Sequence, residues 1–114
     1  PHSAEEKAKG FAGSLNGIVG LECAFPVLYT ELVKKGVITL ERLIELMSIN
    51  PAKRFGIAVD GYCVCDLENE YKIDIGDFKS MGKCTPFENK AVYGKCIATV
   101  SQGKLAYLDK SIEF

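Results

Sequence analysis

Around Gly56 the period of the sequence changes, and that change limits the fold more than any other feature. Before it, apolar residues recur at helical spacing. Leu21, Phe25, Leu28 and Leu32 fall four, three and four residues apart, and Leu40, Leu43, Ile44 and Met47 follow an i, i+3, i+4, i+7 stripe. After it, alternation and β-branched or aromatic residues take over. Tyr62 to Leu67 reads as a strand and Glu70 to Asp74 as its successor, with Lys95 to Val100 and Lys104 to Leu108 as a hairpin turning on Gln102-Gly103. The expected fold class is α+β, with helices over residues 1–56 and a small set of strands over 57–114.

Local signals refine this. Gly36 follows Lys34 and Lys35 as a helix stop, and Thr39 is placed to cap the second helix. Glu41, Arg42 and Glu45 occupy the face opposite the stripe, so the stripe is expected to be core. Pro26 is expected to cost a hydrogen bond and kink the first helix. Asn50-Pro51 is expected to restart the chain, Asn50 capping a short turn that Gly56 ends. Residues 1–20, punctuated by Gly10, Gly13, Gly17 and Gly20, read as a loop, as does the polar stretch between Gly76 and Val92. Neither the helices nor four short strands cover themselves, so each set needs another layer.

Composition removes several function classes. The chain has 114 residues with 14 Lys+Arg against 15 Asp+Glu, a net charge of −1, so no basic excess exists to grip nucleic acid. No apolar run is long enough to span a membrane. Five cysteines, an odd number with no secretory signal, point to a reducing, cytoplasmic compartment and to free, buried thiols. Alternation puts Cys63 and Cys65 on one strand face, but no partner pair completes a tetrahedral metal site. The opening Pro1-His2-Ser3 is read as neither a natural start nor a signal peptide.

Chemistry is scarce. His2 is the only imidazole, so no all-histidine metal set exists, and no Ser, Thr or Cys has the context of an activated nucleophile. No catalytic residue and no metal ligand is expected in this segment. Gly56 and Gly61 lack the Lys-Ser/Thr of a phosphate loop. Glu5-Glu6-Lys7 reads as a solvated charge run. Asn16-Gly17 is a turn, read either as that alone or as a turn whose amides meet a small anion.

Several segments nevertheless carry a resemblance. Pro1-His2-Ser3-Ala4-Glu5-Glu6-Lys7, Gly17-Ile18-Val19-Gly20-Leu21-Glu22-Cys23-Ala24-Phe25-Pro26, Asn50-Pro51-Ala52-Lys53-Arg54-Phe55-Gly56-Ile57 and Thr85-Pro86-Phe87 with Gly94-Lys95 and Gly103-Lys104 resemble dihydroorotases along essentially the whole chain. The Asn-Pro-Ala turn and the closing strands are shared with hydantoinases and allantoinases. The Pro1-His2 pair favours dihydroorotase among them.

The resemblance implies a metal-dependent hydrolase with a (β/α)8 barrel and a β-sandwich. Residues 1–56 would be the last barrel helices with a substrate loop, and 57–114 the C-terminal part of the sandwich. It further implies that His2 contacts the carboxylate of dihydroorotate and that the loop at Asn16 and Gly17 binds substrate through backbone groups. Zinc, its ligands and a proton-shuttling Asp would lie upstream of Pro1, leaving this C-terminal piece with no zinc of its own and inactive alone. The whole enzyme would interconvert carbamoyl aspartate and dihydroorotate in pyrimidine biosynthesis. The alternatives are a non-catalytic dihydroorotase-like subunit that binds aspartate transcarbamoylase, another cyclic amidohydrolase, or a stand-alone interaction domain, any of them open to homo-oligomer formation.

Overall fold

The computed structural model describes residues 2–113. Pro1, the first residue of the resembling segment, and Phe114, the last of 57–114, lie outside the described residues.

The helical half contains two single turns and two longer helices. Helical turns α1 (Ala4–Lys7) and α2 (Gly10–Gly13) stand where the glycine pattern reads as loop. The first has a local cause. The Ser3 hydroxyl accepts from the Glu6 amide while the Glu6 carboxylate accepts from the Ser3 amide at 2.7 Å, a reciprocal capping box.

Helix α3 spans residues 21–33, as a 3₁₀ turn Leu21–Cys23, an α segment Ala24–Leu28 and a π segment Tyr29–Val33. Because the α segment begins at Ala24, Pro26 lies in its first turn, where no intrahelical partner is needed for its nitrogen. The expected hydrogen-bond cost therefore does not arise. Gly36, at φ 73°, ends the helix, and the Val37 amide reaches back to the Leu32 carbonyl at 2.8 Å.

Helix α4 spans residues 40–55. Thr39 caps it, its hydroxyl accepting from the Arg42 amide at 3.1 Å. Thr39→Ala is expected to lower stability by about 1 kcal/mol in urea unfolding followed by circular dichroism. No restart occurs at Asn50-Pro51: Ile49 and Asn50 are both helical, and Asn50 makes no capping bond. Instead a π segment, Glu45–Ile49, immediately precedes the proline, with the Asn50 amide bonding to the Glu45 carbonyl. The wider turn accommodates a residue that has no N–H and crowds the turn before it. Gly56, at φ 65°, closes the helix in the left-handed conformation.

Five strands follow: β1 (Gly61–Asp66), β2 (Tyr71–Lys72), β3 (Ala91–Val92), β4 (Lys95–Ser101) and β5 (Lys104–Leu108). They form a three-stranded antiparallel sheet in the order β1-β4-β5 and a separate pair β2-β3. Gln102 and Gly103, both at positive φ, make the two-residue turn that the sequence predicts between β4 and β5. The stretch read as a polar loop contains a 3₁₀ turn, Ile75–Asp77, capped by the Asp74 side chain, and β3.

Buried Cys23 of α3 packs with Ile73 and Val92, and Val27, Tyr71, Phe78 and Phe87 close around them. Polar contacts fasten α3 to the strands at the same place. The Tyr93 amide donates to the Thr30 hydroxyl at 2.9 Å, Glu31 pairs with Lys90 at 2.9 Å, and Gly94 lies against the Phe25 ring. Of the α4 stripe Leu43 alone is buried; Ile44 and Met47 are exposed, together with Leu46 and Ile49.

Candidate functional site

His2, Asn16 and Gly17, singled out from the sequence, line one cleft of about 300 Å³. Each is held there by a separate local device. The capping box at Ser3 and Glu6 fixes the chain direction immediately after half-buried His2. The Ser3 amide and hydroxyl, and the charge of His2, hold the Glu6 carboxyl below the usual carboxylate range, so Glu6 remains an anion that keeps this corner closed.

The turn at Asn16 and Gly17 depends on Lys7. Its ammonium donates to the carbonyls of Leu15 and Gly17, and the Lys7 carbonyl accepts from the Ser14 hydroxyl at 2.6 Å. Lys7 thus ties α1 to the turn and lines the cleft itself, which corrects its reading as part of a solvated charge run. Gly17 has φ 97°, a conformation that any other L-residue adopts only under strain.

The opposite wall comes from far along the chain, from Ser80, Gly82 and Cys84. The Val19 amide donates to the Cys84 carbonyl at 2.8 Å, joining the two walls. Gly82 is buried where the chain passes closely: a Cβ there would lie 3.0 Å from Val19 and 3.2 Å from the His2 carbonyl oxygen, so these neighbours would have to give way by a few tenths of an ångström. Glu22 secures this wall from behind, its carboxylate accepting from the amides of Lys79 at 2.8 Å and Ser80 at 3.0 Å. Burial pushes the Glu22 carboxyl up, but the bonds from Ser80 and Lys79 outweigh it and hold the group below its ordinary value of 4.5. The clamp is therefore complete above pH 4.5 and loosens as pH falls below it. Glu22→Ala is expected to speed amide hydrogen exchange at Lys79 and Ser80 by about tenfold.

Chemically, the cleft offers an imidazole, an ammonium and a turn rich in backbone groups, a set suited to holding a small anion. Among the described residues no group of three or more His, Cys, Asp or Glu is arranged to hold a metal ion. The donor set of this segment does not fit the zinc that the resemblance implies. No helix among them is long and apolar enough to cross a membrane.

Solved structures place this fold among the cyclic amidohydrolases. An L-hydantoinase (dihydropyrimidinase) from Arthrobacter aurescens superposes with a TM-score of 0.83 and 31% identity over 99% of this chain and 28% of its own. A D-hydantoinase from a Bacillus species gives a TM-score of 0.82 at 25% identity over the same shares. Within that class the chain is a homologue of the dihydroorotases. It is 46% identical to the dihydroorotase of Bacillus cereus (strain B4264) and 44% identical to that of Bacillus thuringiensis (strain Al Hakam), across 97% of this chain in both cases. It spans only 28% of the length of those relatives. No protein-family model matches the chain. The (β/α)8 barrel is not displayed by these residues, which show mixed helix and strand.

Proposed function

We propose that this segment is the carboxylate-recognition end of a dihydroorotase, whose activity is the interconversion of dihydroorotate and carbamoyl aspartate in pyrimidine biosynthesis. The single observation that carries the reading is the convergence of His2, Asn16 and Gly17 on one cleft in a chain 46% identical to dihydroorotases. The cleft volume, about 300 Å³, suits one small metabolite. In this reading the His2 imidazole and the backbone of the 16–17 turn bind the substrate carboxylate, Lys7 holds the turn, and the 80–84 wall keeps His2 in place. These groups orient the ring for attack at its amide. Zinc, which would polarise that amide and activate water, is assigned with the proton-shuttling Asp to the part of a dihydroorotase outside the aligned 28%.

The test is a chimera in which this segment replaces the matching part of the Bacillus cereus relative. Turnover of dihydroorotate well above that of a hydantoin is the expected result. A folded chimera that prefers the hydantoin, or that turns over neither substrate, overturns the reading.

A further inference from the structure

We propose that Cys65 and Cys96 form an oxidisable dithiol, a site at which a small disulfide such as oxidised glutathione installs a covalent cross-link between β1 and β4. The two residues are direct partners in the antiparallel ladder, and they are so because of an irregularity. From Gly61 to Val64 each residue of β1 faces one residue of β4 in step, but the register shifts after Val64 and Ile97 is passed over. Cys65 consequently faces Cys96. Directly opposed residues of antiparallel strands lie about 4.5–5.5 Å apart at Cα, inside the roughly 4.4–6.8 Å that a disulfide spans. Both thiols are free and half-buried.

Cys63 shares the strand but not the pairing. It faces Thr99, whose hydroxyl lies 3.6 Å from the Cys63 sulfur and 3.4 Å from the Cys96 sulfur, so the hydroxyl stands between those two thiols. Cys96 also lines a cavity of about 680 Å³ bounded by Cys23, Tyr71, Thr99 and Tyr107, through which a small disulfide reaches it. The Cys96 thiolate attacks one sulfur of the oxidant, forming a mixed disulfide and expelling one thiolate of glutathione. The Cys65 thiolate then displaces the second glutathione and closes the Cys65–Cys96 bond. Two protein thiols are oxidised and one glutathione disulfide is reduced, the two protons lost by the protein thiols being taken up by the two departing glutathione thiolates. Burial, with the neighbouring Cys96 and Cys63, pushes the Cys65 thiol up to about 11 in the reduced protein; burial persists in the mixed disulfide, so closure quickens as pH rises above neutrality.

The experiment treats the native chain with oxidised glutathione, blocks remaining thiols, and maps cross-linked peptides by mass spectrometry without reduction. A Cys65–Cys96 link that dithiothreitol reverses is the expected product. Cys63→Ser keeps the link, whereas Cys65→Ser loses it and stops at glutathionylated Cys96; circular dichroism establishes that both variants fold alike. In urea the selectivity disappears. Links through Cys63 or Cys84, mixed disulfides alone in the unsubstituted chain, or the same selectivity in urea overturn the proposal.

Discussion

Asp109→Ala is expected to lower the stability of the chain by roughly 2–3 kcal/mol. Among the described residues Asp109 is the buried charged one, 8% exposed immediately after β5. Its carboxylate takes the Lys95 ammonium at 3.1 Å, the Tyr107 hydroxyl at 3.1 Å, and both the amide and hydroxyl of Ser111. Removing it takes the shared acceptor from several donors at once; Lys95, 36% exposed, and the exposed Ser111 can turn to water, whereas half-buried Tyr107 is less free to do so. Urea unfolding of the two proteins measures the difference, and a change under about 0.5 kcal/mol would reject the network's importance. Acid supplies a second reading. The Ser111 hydroxyl, with the Ser111 amide, Lys95 and Tyr107 behind it, overcomes burial and holds the carboxyl far below its ordinary 3.8. The contribution is therefore fully present above pH 3.8 and is lost as pH falls below it toward the folded value. Asp109→Ala should flatten that part of the acid profile.

Tyr107 and Ser111 lie two residues to either side of Asp109, but Lys95 is fourteen residues away and is brought to it by the β4-β5 pairing, which no local pattern foretells. The same division runs through the rest of the fold. Thr39, Gly36, Gly56 and Gln102-Gly103 act through their own backbone or the next few residues, and each is found doing what its residue type predicts. The Ser3-to-Glu6 capping box was equally local and legible, and the glycines around it concealed it. Prolines were harder to read, since their consequence depends on where a helix begins: Pro26 falls inside a first turn, and Pro51 follows a π segment that makes room for it. Periodicity correctly marks which face of α4 is apolar, but it does not say what covers that face, and Ile44 and Met47 remain open to solvent.

The candidate site divides in the same way. His2, Asn16 and Gly17 come from a recognisable stretch near one end, and Lys7 lies in that stretch with a role that only its bonds to Leu15 and Gly17 reveal. The second wall is separated from them by some sixty residues of chain and has no motif of its own. Gly82 is an ordinary glycine in the sequence; its close approach to His2 and Val19 exists only once the chain is folded.

His2→Ala, made in the chimera with the Bacillus cereus relative, is expected to raise KM for dihydroorotate by about 100-fold, equivalent to about 2.7 kcal/mol, with kcat changed little. The imidazole is proposed to hold the substrate carboxylate, a group that does not react. Its contribution is then made equally to bound substrate and transition state, which places the loss in KM. A cyclic amide of the same ring size without the carboxylate supplies the control. It makes no bond to His2, so its KM should be the same in both proteins. Gly82→Ala reaches the same result by another route, because its methyl group would press on Val19 and on the His2 backbone and move the imidazole rather than delete it. A smaller rise in KM, again confined to the carboxylate-bearing substrate, is the expected outcome. If His2→Ala instead lowers kcat for both substrates alike, His2 serves the reaction or the fold as a whole, and the assignment of this cleft to carboxylate recognition fails.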